Sequence, residues 1–159
     1  MQDIRKIQYE MNKPCLELQD FIQTIWFAEN LENDSQLDYK ILSDAGSGIV
    51  FNFGDELVYQ YGNGEILKEK ETITLGPRKE LLRLCFSGRV QTVGIRFFPF
   101  TGHHFFKTPM ADLADRILRT NIEHYLGNPD LYQKLKSMVL KGCSRHKIIQ
   151  AIESDLIRI

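Results

Sequence analysis

Val90-Gln91-Thr92-Val93-Gly94-Ile95-Arg96-Phe97-Phe98-Pro99 is the stretch where the chain changes character. Up to Phe98 it alternates. Val93, Ile95 and Phe97 fall on one face and Thr92, Gly94 and Arg96 on the other, the pattern of a strand with an apolar inner face. Beyond Pro99 the apolar residues recur at helical intervals.

Upstream, short β-branched and aromatic runs are separated by turn residues. Strands are expected at Ile22–Phe27, after a helical turn at Glu17–Phe21, and at Leu37–Leu42, Gly48–Phe53 and Leu57–Tyr61. Three more are expected at Glu71–Leu75, Leu81–Phe86 and Val90–Phe98. Asn63-Gly64 is a hairpin signal, because both residues tolerate positive φ. Downstream, Leu113, Ile117, Leu118, Ile122 and Tyr125 predict a helix over Asp112–Tyr125. A second helix should open at Asn128-Pro129, carry Leu131, Leu135, Met138 and Val139, and stop at Gly142. Ser144 should cap a third, running to the last residue as if the chain once continued. The expected class is therefore α+β: an antiparallel β-barrel or sandwich over residues 15–100, then about three C-terminal helices over 101–159, all in one domain.

The 159 residues are 43% hydrophobic and 26% charged, which excludes a disordered or low-complexity chain. No apolar run approaches the ~20 residues of a membrane-spanning helix, and no signal stretch opens the chain, so no membrane and a cytoplasmic location are expected. A net charge of -1 gives no basic surplus with which to grip nucleic acid. The halves differ: residues 1–80 carry 8 Lys/Arg against 15 Asp/Glu, and residues 81–159 carry 12 against 6. Cys15, Cys85 and Cys143 are far apart and read as plain thiols.

Catalytic and metal signatures are sparse. His103-His104 are adjacent, so their imidazoles diverge by roughly 100° on a helical turn and do not converge on one metal. No histidine precedes them, which leaves the strand region without imidazole ligands. Asp112 and Asp115 suit a helix start better than an acid/base pair. No nucleophile elbow or phosphate loop is present. No metal, no cofactor and no enzymatic activity are expected. The aromatic residues Trp26, Phe51, Phe53, Tyr59 and Tyr61 lie on predicted strands and are the candidate ligand-binding set for a barrel interior. Arg83 and Arg96 sit in otherwise apolar strands and could anchor an anion, although for Arg96 the alternation points outward.

Gly94-Ile95-Arg96-Phe97-Phe98-Pro99, then Gly102, Phe105-Phe106, Pro109 and Met110-Ala111-Asp112-Leu113-Ala114-Asp115, resemble the end of the sensor domain of AraC-type transcription regulators. Pro14, Leu18, Ile22 and Trp26 are similar to that family's opening motif. Ser43 to Phe53 is similar to its central strand, with Ser43 replacing a usual proline, and Gly76 fits a further glycine position. Residues 145–156 resemble the helix before the family's DNA-binding part. The resemblance spans about Pro14 to Leu156. It implies a cupin-like β-barrel with trailing helices, used for effector sensing and dimerisation. It also implies that DNA is met only through a helix-turn-helix domain C-terminal to these residues. A homodimer is expected, with Leu131 and Leu135 as interface candidates, and a small molecule as effector. The rival readings are a stand-alone cupin-like binder, a metal-free isomerase-type enzyme and a pure dimerisation module.

Overall fold

The strands pair antiparallel throughout, in two sheets. A computed structural model describes residues 7–30, 35–41, 46–114, 117–119 and 126–159. It contains β1 (Ile7–Asn12), β2 (Ile22–Asn30), β3 (Ser35–Ile41), β4 (Gly48–Asn52), β5 (Leu57–Gln60), β6 (Ile66–Glu69), β7 (Thr72–Leu75), β8 (Leu82–Gly88), β9 (Gln91–Phe97) and β10 (Ile117–Arg119). The helices are α1 (Met110–Leu113), α2 (Leu131–Leu140) and α3 (Arg145–Ile157). The large sheet runs β1-β2-β9-β4-β7-β10 and the small one β3-β8-β5-β6. The expected α+β class, a sandwich of antiparallel sheets followed by helices, is the one observed.

Two apolar cores result, one on each face of the large sheet. Val50, Ile73 and Leu75 meet Leu57, Leu84 and Phe86 of the small sheet. On the other face, Phe27, Ile49, Phe51 and Ile95 meet Leu131, Leu135, Ile148 and Ile152 of the helices. All five residues of β4 are buried, as a strand covered on both faces must be. Each fully buried aliphatic or aromatic side chain contributes about 1.5–3 kcal/mol relative to exposure. The face carrying Val93, Ile95 and Phe97 is thus apolar as expected, but it looks at the helices and not at the other sheet.

The two long helices form a hairpin with conventional ends. At the close of α2, Cys143 N–H donates to Met138 O (3.0 Å) and Gly142 N–H to Val139 O (3.1 Å). Gly142 takes φ +72°, the left-handed turn that glycine adopts without Cβ strain. Ser144 Oγ accepts from Lys147 N–H at 3.3 Å, so the expected cap of α3 is present. The hairpin is fastened to the sheet by polar contacts. Tyr132 Oη donates to Asn52 O (2.9 Å), and Cys15 N–H donates to a Glu153 carboxylate oxygen (2.7 Å). Arg145 pairs with Glu10 and, at 3.3 Å, with Glu29, and its guanidinium lies 5.3 Å from the Phe27 ring centre.

Several elements differ from the sequence expectation, among them β6, which was not expected as a strand. The expected helix over Asp112–Tyr125 is not continuous. α1 stops at Leu113, and Ile117–Arg119 is a strand against β7, with Leu118 opposite Thr74. Helical periodicity was overridden by the open edge of β7, whose unpaired backbone groups gain hydrogen bonds from a partner. Asp115, Ile122, His124 and Tyr125 lie outside the described residues. Strand residues at 7–12 and 117–119 also fall outside the 15–100 span expected for the β part. Finally, α2 begins at Leu131 with Asp130 as its cap residue, two positions later than expected. Asn128 instead closes a local turn: its side-chain oxygen accepts from Asp130 N–H (2.9 Å), and its own N–H donates to Asp155 (2.9 Å). Among the described residues no helix is long and apolar enough to cross a membrane.

Candidate functional site

The inner face of β9 offers Thr92, Gly94 and Arg96 to the space between the sheets, and Gly94 shapes that space. Trp26 on β2 is directly opposite Gly94 in the register, as Val50 on β4 is from the other side. A Cβ on Gly94 would overlap Cε2 and Cζ2 of the indole. The indole therefore occupies the place that a Cβ would take on the bare glycine. Tyr9, on the neighbouring β1, stacks on Trp26 with centroids 5.6 Å apart at 26°.

Beside this pair a cavity of about 160 Å³ opens between the sheets. Trp26, Val50, Leu75 and Leu84 line it with apolar surface, and Tyr59, Arg78 and Arg96 are among the other residues on its wall. Tyr59 is 0% exposed, and its hydroxyl has no hydrogen-bond partner among the described residues. Burial pushes this phenol far above the usual tyrosine range; the Arg78 charge opposes that shift and the Glu69 charge adds to it. It is a neutral hydroxyl at any physiological pH. A buried polar atom left unsatisfied costs about 1–3 kcal/mol.

The five aromatic candidates are divided by the fold. Trp26 and Tyr59 line the cavity. Tyr61 packs half-buried against the inter-sheet core. Phe51 and Phe53 do not reach this space, because odd-numbered positions of β4 point at the helices. Phe53 stacks on Tyr132 of α2 instead, at 5.4 Å. Arg96, expected to turn outward, lines the cavity, and its Nε–H donates to Gln23 Oε1 (2.9 Å). Tyr9 and Arg78 escaped the sequence reading: β1 is a polar edge strand, and Arg78 follows Pro77 outside any strand. Leu131 and Leu135 are 2% and 0% exposed beneath the helices, where they serve the core and not a free surface.

The other candidates are weaker. His103 and His104 lie against one another in a 3-10 turn, with centroids 4.0 Å apart and rings tilted by 35°, closer than their expected divergence. His103 Nδ1 lies 2.6 Å from Phe100 O, and His104 packs edge-on against Phe21. Among the described residues no three His, Cys, Asp or Glu side chains are grouped so as to hold a metal ion. A cleft of about 330 Å³ under the α2–α3 turn, floored by Phe27 and Val93, has its arginine, Arg145, already engaged by Glu10 and Glu29.

The family model described as a domain of unknown function, DUF6597, matches residues 10–119. The chain belongs to this family. The matched span of the DUF6597 chain carries every lining residue of the cavity except Tyr9 and ends with β10, ahead of the helical hairpin. No curated protein matches the sequence.

Solved structures similar to this DUF6597 chain include a putative ethanolamine utilization protein Q from Salmonella typhimurium, at 9% identity and a TM-score of 0.43. It covers 57% of this chain and 68% of its own. The Cupin_2 domain of an XRE family transcriptional regulator from Enterobacter cloacae matches at 11% identity and 0.44, over 59% of this chain and 98% of its own. An ectoine synthase from P. lautus matches at 11% and 0.44, over 64% and 71%. Likeness at this level carries no argument about activity. The expectation of no enzymatic activity is corrected here: structures matched in this fold include a synthase, so the architecture does not separate enzymes from binders.

Proposed function

We propose that this DUF6597 chain is a small-molecule-binding domain whose ligand sits between the two sheets against Trp26. The observation that carries this reading is the cavity itself, lined by Trp26, Tyr59 and apolar residues of both sheets together with Arg78 and Arg96. Apolar walls with a few placed polar groups are the usual composition of a ligand site. The finer reading is an effector-sensing domain of an AraC-type regulator, supported by the ordered motifs from Pro14 to Leu156. There, ligand binding would favour one conformer or one homodimer geometry and thereby act on an attached DNA-binding part.

Trp26 is the single tryptophan of the chain, so its emission reports the cavity directly. A small-molecule panel is titrated against Trp26 emission and the thermal unfolding midpoint. A ligand of this site changes both saturably, and Tyr59→Phe weakens it. A panel that moves neither signal overturns the reading. For the regulatory reading, the ligand must also alter DNA binding by the chain joined to its C-terminal neighbour.

A further inference from the structure

We propose that the α2–α3 hairpin is a docking surface for duplex DNA, with the exposed side of α2 in the major groove and its flanking lysines on the phosphates. This goes beyond the ligand reading and is independent of the cavity.

The whole-chain charge of -1 hides a local surplus. On the hairpin Lys134, Lys136, Lys141, Lys147 and Arg158 are exposed. None of the five is held in an ion pair among the described residues. The acids of the same unit are engaged inward. Glu153 is half-buried and accepts from Cys15 N–H, and Asp155 is 7% exposed and accepts from Asn128 N–H. Asp130 alone of the hairpin's acids is exposed. An ordinary solvated surface mixes both signs, as the exposed pairs Lys70-Glu71 and Lys79-Glu80 do on the sheet part.

Spacing says which anion fits. Lys134 and Lys141 are seven residues apart, so they share one side of α2 and stand about 10.5 Å apart along its axis. Lys147 and Arg158 are eleven apart, three turns, and stand about 16.5 Å apart along α3. The Asn128–Asp155 contact sets the start of α2 beside the end of α3, so cations occupy both ends of the hairpin. Cations held that far apart on rigid helices do not converge on one small anion. They match an extended one, and a duplex carries one negative charge per about 1.7 Å of its axis.

The arrangement around α2 favours a groove over a flat surface. Leu131 and Leu135 are buried, and Gln133, Ser137 and Leu140 form the opposite ridge at i, i+4 and i+7. Lys136 flanks that ridge on one side; Lys134 and Lys141 flank it on the other, roughly 160° around the helix from Lys136. A flat lipid surface meets the ridge and one flank at most. A groove with phosphates along both walls meets both flanks, and the DNA major groove, about 12 Å wide, admits an α-helix. Leu140, 73% exposed, and Gln133 are then the residue types that meet a thymine methyl and an adenine edge.

The test titrates the intact chain into a fluorescently labelled 20-base-pair duplex and follows anisotropy against salt. Five phosphate contacts predict a slope of log affinity on log salt of about -4.5, or about 500-fold weaker binding at 200 mM than at 50 mM salt. Lys134→Gln with Lys141→Gln should lower the slope to about -2.7, or about 40-fold over the same range. Lys68→Gln with Lys70→Gln, which removes two exposed cations of the sheet part, should leave the slope unchanged. Unfolding midpoints confirm that both double variants are folded. Absence of duplex binding at 50 mM salt overturns the proposal, and so does an equal loss in the two double variants. Phosphatidylserine vesicles or poly-L-glutamate bound as tightly as the duplex at the same salt also overturn it, in favour of a membrane or an acidic protein partner. None of these outcomes bears on the Trp26 titration, so the two readings fail separately.

Discussion

Trp26 rests on Gly94: the two residues are cross-strand partners of β2 and β9, and the glycine leaves room for the indole that any Cβ would fill. A glycine inside a strand weakens it by itself, through backbone entropy and absent side-chain contact. Here the aromatic ring of the neighbouring strand supplies the missing cover.

Gly94→Ala should therefore displace the indole. The expected cost is about 1–3 kcal/mol, the range for overpacking a well-filled site. Urea unfolding measures it. The same variant should shift Trp26 emission, whereas an alanine that merely altered strand propensity would leave the emission unchanged.

Leu135→Ala should destabilise the chain by about 2–5 kcal/mol, because the side chain is 0% exposed under the helical hairpin. Leu140, 73% exposed on the same helix, should tolerate alanine within about 0.5 kcal/mol. Thermal or urea unfolding compares the two. A leucine serving only subunit contact would do the reverse, losing assembly while the protomer kept its stability.

The Arg145–Glu10 pair should give the fold an acid-sensitive fastening. The hydrogen bond from Arg145 holds the Glu10 carboxyl below its ordinary value of 4.5, with a further contribution from Asn12. Burial disfavours the Arg145 charge, but Glu10 and Glu29 outweigh it and raise the guanidinium pKa. Because the Glu10 pKa is depressed on folding, its contribution is present above 4.5 and is lost as pH falls through the lowered folded value. Glu10→Gln should flatten this part of the stability profile. Unfolding midpoints measured down the acid range from 4.5 test it; an unchanged slope would falsify the assignment.

The loop between α2 and α3 should be sensitive at both ends. Ser144→Ala removes the acceptor for Lys147 N–H and should cost about 1 kcal/mol. Gly142→Ala forces a Cβ into φ +72° and should cost about 1–2 kcal/mol. Amide exchange at Lys147 and Cys143 should rise in the respective variants before the sheet is affected.

Short β-branched and aromatic runs between turn residues identified β2, β4, β5, β7, β8 and β9, because buried strands favour such side chains. β1 and β6 were not legible: they are edge strands, with Tyr9, Met11 and Ile66 exposed, so no burial imposes a pattern on them. β10 was misread because Ile117 and Leu118 also fit a helical stripe, and only the open edge of β7 distinguishes the two.

The site was legible in the same partial way. Trp26 and Tyr59 were found by their chemistry, while Phe51 and Phe53, of the same chemistry, belong to the opposite face. A period of two states which residues share a face but not what that face meets. The sequence by itself determined the strand-then-helix order, the face-sharing sets and the caps at Gly142 and Ser144, since these follow from local backbone and burial preferences. Only the tertiary structure decided that the helices cover the Val93–Phe97 face and that Thr92, Gly94 and Arg96 look between the sheets. A sheet buried on both sides has no solvent face to mark its inside, so the side that holds the cavity is chosen by packing against partners distant in sequence.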